Sequence, residues 1–506
     1  MTTTSRPQTL STSRPTRRQW VALGVLALTA LLLSLDVSVL YLALPELSAD
    51  LGATTTQQLW MLDIYSFVLA GFLVTMGAVG DRIGRKRLLL IGAVAFGVAS
   101  AAAAYASSPG QLIFWRAMLG IAGATLMPST MGLIRTIFTD EKAMMTAIGV
   151  WYSCFMGGMA VGPLVGGVLL QHFWWGSAFL LGVPFMLLLV VVGRRVLPES
   201  DRHAGAPVDV VSSVLSLAAI LPVIYGFKEI ARGGDTTTAL LTMSVGCALG
   251  LVFVRRQRRI ANPLVDLTLF RSRAFSTALA VMLVGGVVMA GVSFLSSQWL
   301  QLVAGLDPLG AGLTMLPANI ALLVGASSSA RIAHRLGTAR TMATGLLVCA
   351  AGLALYTQVG PAQGLGLLVF GMCLTSFGIM LPSTLTMGVM MQSAPPERAG
   401  SVASMSETSG EFGIAVGIAG LGSLATFVYR DQLAPYAAAH GGSAAAALDS
   451  LAGAVRTATT LSAEAARGLV TAAQEAFTAS LAVVSGVGAA LFVACAVIAL
   501  RVLRPR

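Results

Sequence analysis

Charge is what this chain lacks. Only 10% of its 506 residues are Asp, Glu, Lys or Arg, against about 25% in ordinary soluble domains, while 56% are hydrophobic and the mean hydropathy is +0.82. A soluble enzyme or binding module is excluded by that balance. Histidine is scarce as well: His172, His203, His334 and His440 fall in separate loops, which leaves no ligand set for a metal and no partner for a Ser/His/Asp hydrolase. The five cysteines, Cys154, Cys247, Cys349, Cys373 and Cys495, sit inside apolar runs without paired or metal-ligand spacing. They read as packing residues.

What the chain does have is long apolar runs. Crossing ~30 Å of hydrocarbon takes about 20 apolar residues, and the sequence divides into about fourteen such stretches, the first near 20–43, the seventh near 210–227, the thirteenth near 400–427 and the last near 477–500. The first follows Arg14, Arg17 and Arg18 as a secretory signal would. It is too long for one, lacks a small-residue cleavage site and carries Asp36, so it reads as a span. The expected fold is all-α, a polytopic membrane protein.

An even number of spans puts both termini on one side. Most of the 32 basic residues fall in the N-terminal tail, the even-to-odd loops and the C-terminus; the opposite loops hold only Lys228, Arg232, Arg430, Arg456 and Arg467 on these boundaries. Both ends are therefore expected in the cytoplasm. The same asymmetry accounts for the net charge of +11 through anionic lipid headgroups, without nucleic acid as a partner.

A repeat is visible in the turns. Asp81-Arg82-Ile83-Gly84-Arg85-Lys86-Arg87 follows the second span, and His334-Arg335-Leu336-Gly337-Thr338-Ala339-Arg340 follows the tenth with the same spacing. Two related halves meeting at a midplane site are a common transporter plan. The expected division is a tail over 1–19, a six-helix lobe over 20–200, two additional spans over 201–260, and a second six-helix lobe over 261–506. That second lobe is expected to carry an extracytoplasmic loop of amphipathic helices at about 430–475.

Five ionisable residues lie inside apolar stretches: Asp36, Asp63, Arg116, Glu407 and Glu411. Burial at membrane depth costs roughly 2.5 to 3.5 kcal/mol even on the lenient insertion scale, so such groups mark ion or substrate paths. At 1.5 Å per residue, Asp36 lies about 24 Å along an outward-running helix, and Asp63 and Arg116 each about 9 Å into helices entering from outside. These three share a level. They form either a cluster that exchanges partners when a proton arrives or a permanent ion pair that fixes packing. Glu407 and Glu411, four apart, share one helix face. Ionising both in a low dielectric is unfavourable, which suits exchange of a proton for a cation. Ser404, Ser406, Thr408 and Ser409 around them favour a wet cavity.

The motifs bring a family into view. Gly77-Ala78-Val79-Gly80-Asp81-Arg82-Ile83-Gly84-Arg85-Lys86 resembles the cytoplasmic-loop signature of the major facilitator superfamily, and Arg116 with Gly120 and Gly123 resembles its fourth-span proton-linked signature. Gly158 through Gly162-Pro163 to Gly166-Gly167 is similar to the fifth-span signature of its drug:proton antiporters, and Leu35-Asp36-Val37-Ser38 through Ala43-Leu44-Pro45 to the first-span motif of their fourteen-helix branch. In physical terms Gly77 and Gly84 permit a tight connection, Asp81 accepts at a helix N-terminus or pairs with an arginine, and the glycines at small-xxx-small spacing let helices touch beside the bend at Pro163. Arg82 belongs to the same signature, and Arg85, Lys86 and Arg87 serve equally as topology anchors.

The resemblance implies a bacterial plasma-membrane efflux pump for quaternary ammonium compounds, intercalating dyes and fluoroquinolones. Its partners are hydrophobic cations, protons and lipids; it works as a single chain, with no cofactor beyond the protonmotive force and no covalent chemistry. Tyr41, Tyr65, Trp151, Phe155, Phe377 and Phe412 are candidates for an aromatic pocket that 22 methionines make adaptable. Tyr41 departs from the asparagine frequent in the first-span motif. Asn319 stands where some quaternary-ammonium exporters carry an extra acid, which favours monovalent over divalent cations. A carrier for an endogenous lipid or metabolite shares the fold, and a membrane receptor or membrane-bound enzyme would need a sensing domain or catalytic constellation that the motifs do not supply.

Overall fold

A computed structural model describes residues 16–138, 140–199, 209–231, 234–260, 263, 269–361, 364–393, 399–440 and 446–503. The N-terminal tail to residue 15, His203, Arg232 and the side chains of Asp81, Ser404, Glu407 and His440 lie outside the described residues.

The first six spans are α1 (Arg17–Leu51), α2 (Thr55–Ile83), α3 (Arg85–Ala104), α4 (Pro109–Ile137), α5 (Glu141–His172) and a broken span made of α6 (Ser177–Leu180) and α7 (Gly182–Val196). Next come α8 (Val210–Ala231) and α9 (Thr236–Gln257). The remaining spans are α10 (Arg273–Gln298), α11 (Pro308–Leu336), α12 (Thr338–Tyr356), α13 (Leu365–Gln392), α14 (Ala399–His440) and α16 (Ala463–Val502), with the short α15 (Leu451–Ala458) before the last. Among the described residues thirteen stretches are long and apolar enough to cross a membrane. The 29-residue α2, packed among them, completes the fourteen.

Helix starts follow local chemistry. Thr16 and Thr54 form capping boxes with Gln19 and Gln57, and Ser108, Asp140, Ser272 and Asp307 accept from the first turns of α4, α5, α10 and α11. These bonds satisfy donors that lipid cannot. Gly84 and Gly337, the matching glycines of the two repeated turns, take φ of 98° and 83°, a region closed to most L-residues. They end α2 and α11 and start α3 and α12 directly. Gly77 corrects the expectation for that signature: it lies inside α2, where an added Cβ would face Pro128 at 3.8 Å, and takes no part in the connection.

Packing repeats with the sequence. In the first half α1 lies on α5, α2 on α4, and α3 on α4 and α7; in the second, α10 lies on α14, α11 on α13, and α12 on α13 and α16. The halves meet chiefly through two symmetry-related contacts, α5 on α11 and α2 on α14. α8 and α9 pair with each other, and α8 docks on α2 and α14 at one side of that junction. Val94, Val98, Leu187, Val191, Leu241, Leu251 and Val497 are exposed around the perimeter, as a lipid-facing surface requires.

The stretch 430–475 is only partly a loop. α14 and α16 continue through much of it, because Tyr429, Leu433, Leu469 and Ala473 are buried along them. α15 is amphipathic as expected, with Leu451, Ala454 and Ala458 buried and Arg456 exposed, and it packs on α16.

Candidate substrate and proton-coupling site

The buried charges resolve into two ion pairs. Arg116 on α4 donates through Nη1 to Asp36 Oδ2 on α1 at 3.0 Å and through Nε to the Met61 carbonyl on α2 at 3.0 Å. Its guanidinium lies 4.6 Å from the centre of the Tyr65 ring. Three helices are thus tied by one side chain, and close approach is possible because Gly120 and Gly123 present no side chain to Tyr65 and Val68.

Asp63 turns the other way. Its Oδ2 accepts from Lys228 Nζ at 2.7 Å, and the ammonium sits 3.7 Å over the Trp60 ring. Both side chains are shut off from solvent, at 1% and 0% exposure. Lys228 was expected in an outer loop because the seventh apolar run was ended at residue 227. The helix continues through Ile230 and Ala231, so Lys228 is a second buried base beside Arg116 and not a topology marker. Two signals point to it in retrospect: apolar residues resume after Glu229, and Asp235 caps the next helix only a few residues later.

A cavity of about 450 Å³ lies between the lobes, lined from α1, α4, α5, α10, α11, α13 and α14. Tyr41, Trp151, Phe155, Asn319 and Glu411 all line it. Trp151 and Phe155 stack with centroids 6.0 Å apart and planes 7° apart. Methionines from five of the lining helices supply deformable apolar wall. Glu411 is the one carboxylate among the described lining residues. Tyr65, Phe377 and Phe412, expected at the pocket, are not among those residues. Tyr65 underlies Arg116, the Phe377 carbonyl sits against Gly325 between α13 and α11, and Phe412 packs edge-on to Phe67 at 6.2 Å. Ser406 is buried and donates to Met282 Sδ, so it adds no wet surface.

The cavity is closed at the end that carries the α1–α2 and α5–α6 turns. A Cβ at Gly167 would stand 2.7 Å from the Pro308 carbonyl oxygen, and one at Gly312 would stand 2.4 Å from that of Pro163. Backbone meets backbone there. Gly158, Gly162 and Gly166 instead press on α1 within their own lobe, against Leu31, Ser38 and Val39. Asn319 donates to the Ala160 carbonyl, Ser297 to that of Tyr41 at 3.0 Å, and Arg456 on α15 to that of Ala49 at 3.2 Å. Each bond crosses from the second lobe to the first. In the opposite turn, Arg85 donates to the Pro128 carbonyl at 2.9 Å and Lys86 pairs with Glu199 at 3.0 Å, while Arg82 and Arg87 are exposed.

Two six-helix lobes around a cavity between them, flanked by buried acid–base pairs, are a transporter's architecture, and a Major Facilitator Superfamily model matches residues 26–418. The chain belongs to the major facilitator superfamily. It is a multi-pass bacterial membrane transporter, not an enzyme. This transporter is 40% identical over 490 residues to the multidrug efflux pump LfrA of Mycolicibacterium smegmatis, covering 97% of both chains. It is 34% identical over 468 residues to the methyl viologen resistance protein SmvA of Salmonella typhimurium, covering 91% of this chain and 93% of that one. Among solved structures, a bacterial homologue of the human lysosomal transporter Spinster, inward-facing and unoccupied, superposes with a TM-score of 0.66 at 14% identity over 96% of this chain and 98% of that one. A peptide transporter, POT, with sulfate gives 0.64 at 16% over 95% of each. Those two establish the fold alone.

Proposed function

We propose that this transporter is a proton-coupled multidrug exporter of hydrophobic cations: dyes such as ethidium and acriflavine, quaternary ammonium compounds and fluoroquinolones. The observation that carries the reading is the inter-lobe cavity, whose described lining offers one carboxylate, Glu411, a stacked Trp151–Phe155 pair and methionine wall. A flat cation finds charge neutralisation and π surface there, and few hydrogen-bonding groups that would select a sugar. Relatives named as a multidrug pump and a methyl viologen resistance protein support the same substrate class.

The positive-inside distribution puts both termini in the cytoplasm, so the closed end faces outward and the cavity belongs to an inward-facing state. A cation enters from the cytoplasmic side and meets ionised Glu411. After the lobes rock, a proton from outside takes the carboxylate and the cation leaves. Asp36, Asp63 and Arg116 carry the proton-linked rearrangement of the first lobe, with Glu407 a second acid on the face of α14. One proton exchanged for one monovalent cation moves no net charge through the membrane field, so the pH difference is the driving force, and each unit of it, about 1.4 kcal/mol, sustains roughly a tenfold drug gradient. Alternation requires only that proton and drug prefer opposite-facing states. No cofactor enters this cycle, and one chain suffices for it.

The test is ethidium efflux from energised cells with and without an uncoupler. Efflux should stop when the proton gradient collapses; efflux that continues unchanged rules out proton coupling. Glu411→Gln should abolish drug-induced proton release from detergent-solubilised protein, and unchanged release removes Glu411 from the site.

A further inference from the structure

The Asp63–Lys228 pair joins the first lobe to the additional helices, a part of the chain that needs no charge to sit in lipid. Elsewhere that junction is made by ordinary packing, with Leu217 over Gly71, and by a hydrogen bond between Thr75 and Ser213. An ion pair taken out of water recovers its desolvation cost poorly, and apolar residues of the same volume serve packing as well or better. The pair is also incomplete. Asp63 Oδ1 is buried and has no hydrogen-bond partner among the described residues, although Oδ2 is engaged.

An oxygen left bare beside a neutralised partner is a place for a proton. Once one arrives, the carboxyl is neutral, and among the described residues the ammonium keeps the Trp60 ring, 3.7 Å away. A cation–π contact, even desolvated, holds an ammonium far less firmly than a charged pair in the same place. Protonation therefore removes the reason for Lys228 to stay. Other charged or titratable groups in the field of this region are Arg116 from α4, Asp36 and Tyr41 from α1, and Glu411 from α14. Glu229, next to Lys228, accepts from the Asp235 backbone.

We propose that Lys228 is a positioning residue for proton coupling: it is the counter-cation that keeps Asp63 charged until a proton binds at Oδ1, and its release passes that event to α8 and α9. The additional helix pair is then a working part of the pump, linked to the first lobe through a charge that comes and goes. This rests on the proton-coupled reading above.

The experiment uses the full-length protein in proteoliposomes, with ethidium transport driven by an imposed pH gradient and followed across a range of pH. Wild type reports on the underlying reading: if its transport ignores the gradient, that reading and this inference fall together. With wild type gradient-driven, Lys228→Met should lower the driven rate at least about tenfold and flatten its pH profile. The double variant Asp63→Asn with Lys228→Met removes both charges, so it should melt near the wild-type temperature while remaining uncoupled. Two results overturn the inference alone: Lys228→Met with wild-type rate and pH profile, or a double variant that regains gradient-driven transport.

Discussion

The two lobes pair their helices alike and differ in where they place charge. The first binds Asp36 to Arg116 and Asp63 to Lys228 in contacts closed to solvent. In the corresponding half of the second, the described residues place Glu411 on the cavity wall, and the pair equivalent to α1 and α5, α10 and α14, meets through glycines: a Cβ at Gly413 would lie 2.7 Å from the Leu283 carbonyl, and one at Gly417 2.2 Å from that of Val287. On the proposed function, one scaffold serves two purposes. Charges that face each other can register a proton by changing partners; a carboxylate that faces a cavity can register a cation. The division suggests a pump in which the first lobe senses and the second grips.

Three substitutions would break or sharpen that comparison. The largest effect is expected at Arg116. Arg116→Ala strands Asp36 in the core and should cost about 3 to 5 kcal/mol of stability, seen as a large drop in the melting temperature of detergent-solubilised protein together with loss of efflux. Asp36→Asn with Arg116→Met should recover much of the melting temperature without efflux. If efflux returns as well, the pair is a packing device and the lobes do not divide the work as described.

Next is Gly167→Val. A side chain there meets the Pro308 carbonyl and Leu309 Cα at 2.7 and 2.8 Å, an overpacking of about 1 to 3 kcal/mol confined to the closed end. The population should shift toward the state open at that end, measured as faster labelling of a cysteine introduced at Leu164, with ethidium binding weakened less than transport. Labelling no faster than in the parent would mean that this contact does not seal the cavity.

The smallest effect is expected for Asn319→Ala, which removes one of the bonds between lobes. Net loss of a hydrogen bond is worth about 1 kcal/mol, so the same labelling rate should rise by roughly fivefold with little change in melting temperature. No change would assign the closure to the glycine contacts alone.

How legible the molecule was depends on the kind of information involved. Spans such as 210–227 and 275–301 could be read because about 20 apolar residues are needed wherever a helix crosses lipid, and the two glycine turns could be matched because only glycine takes their positive φ. Lys228 was misplaced because a charge at the end of an apolar run is indistinguishable, in one dimension, from the first residue of a loop. Tyr41 and Phe412 look alike in sequence, each an aromatic within a few residues of an acid in an apolar stretch. Only the rotation of their helices puts one at the cavity and the other against Phe67.

By itself, then, the sequence determined that this is an all-helical membrane protein with fourteen spans, a repeated half and acids where acids are costly. Those are consequences of transfer free energy and backbone hydrogen bonding, which act residue by residue. The tertiary structure decided which charges face each other. Asp36 and Asp63 are expected at one depth in the first lobe, yet one turns to α4 and the other to α8, because pairing depends on helix azimuth and on neighbours 80 and 165 residues away, information that a count along the chain does not contain.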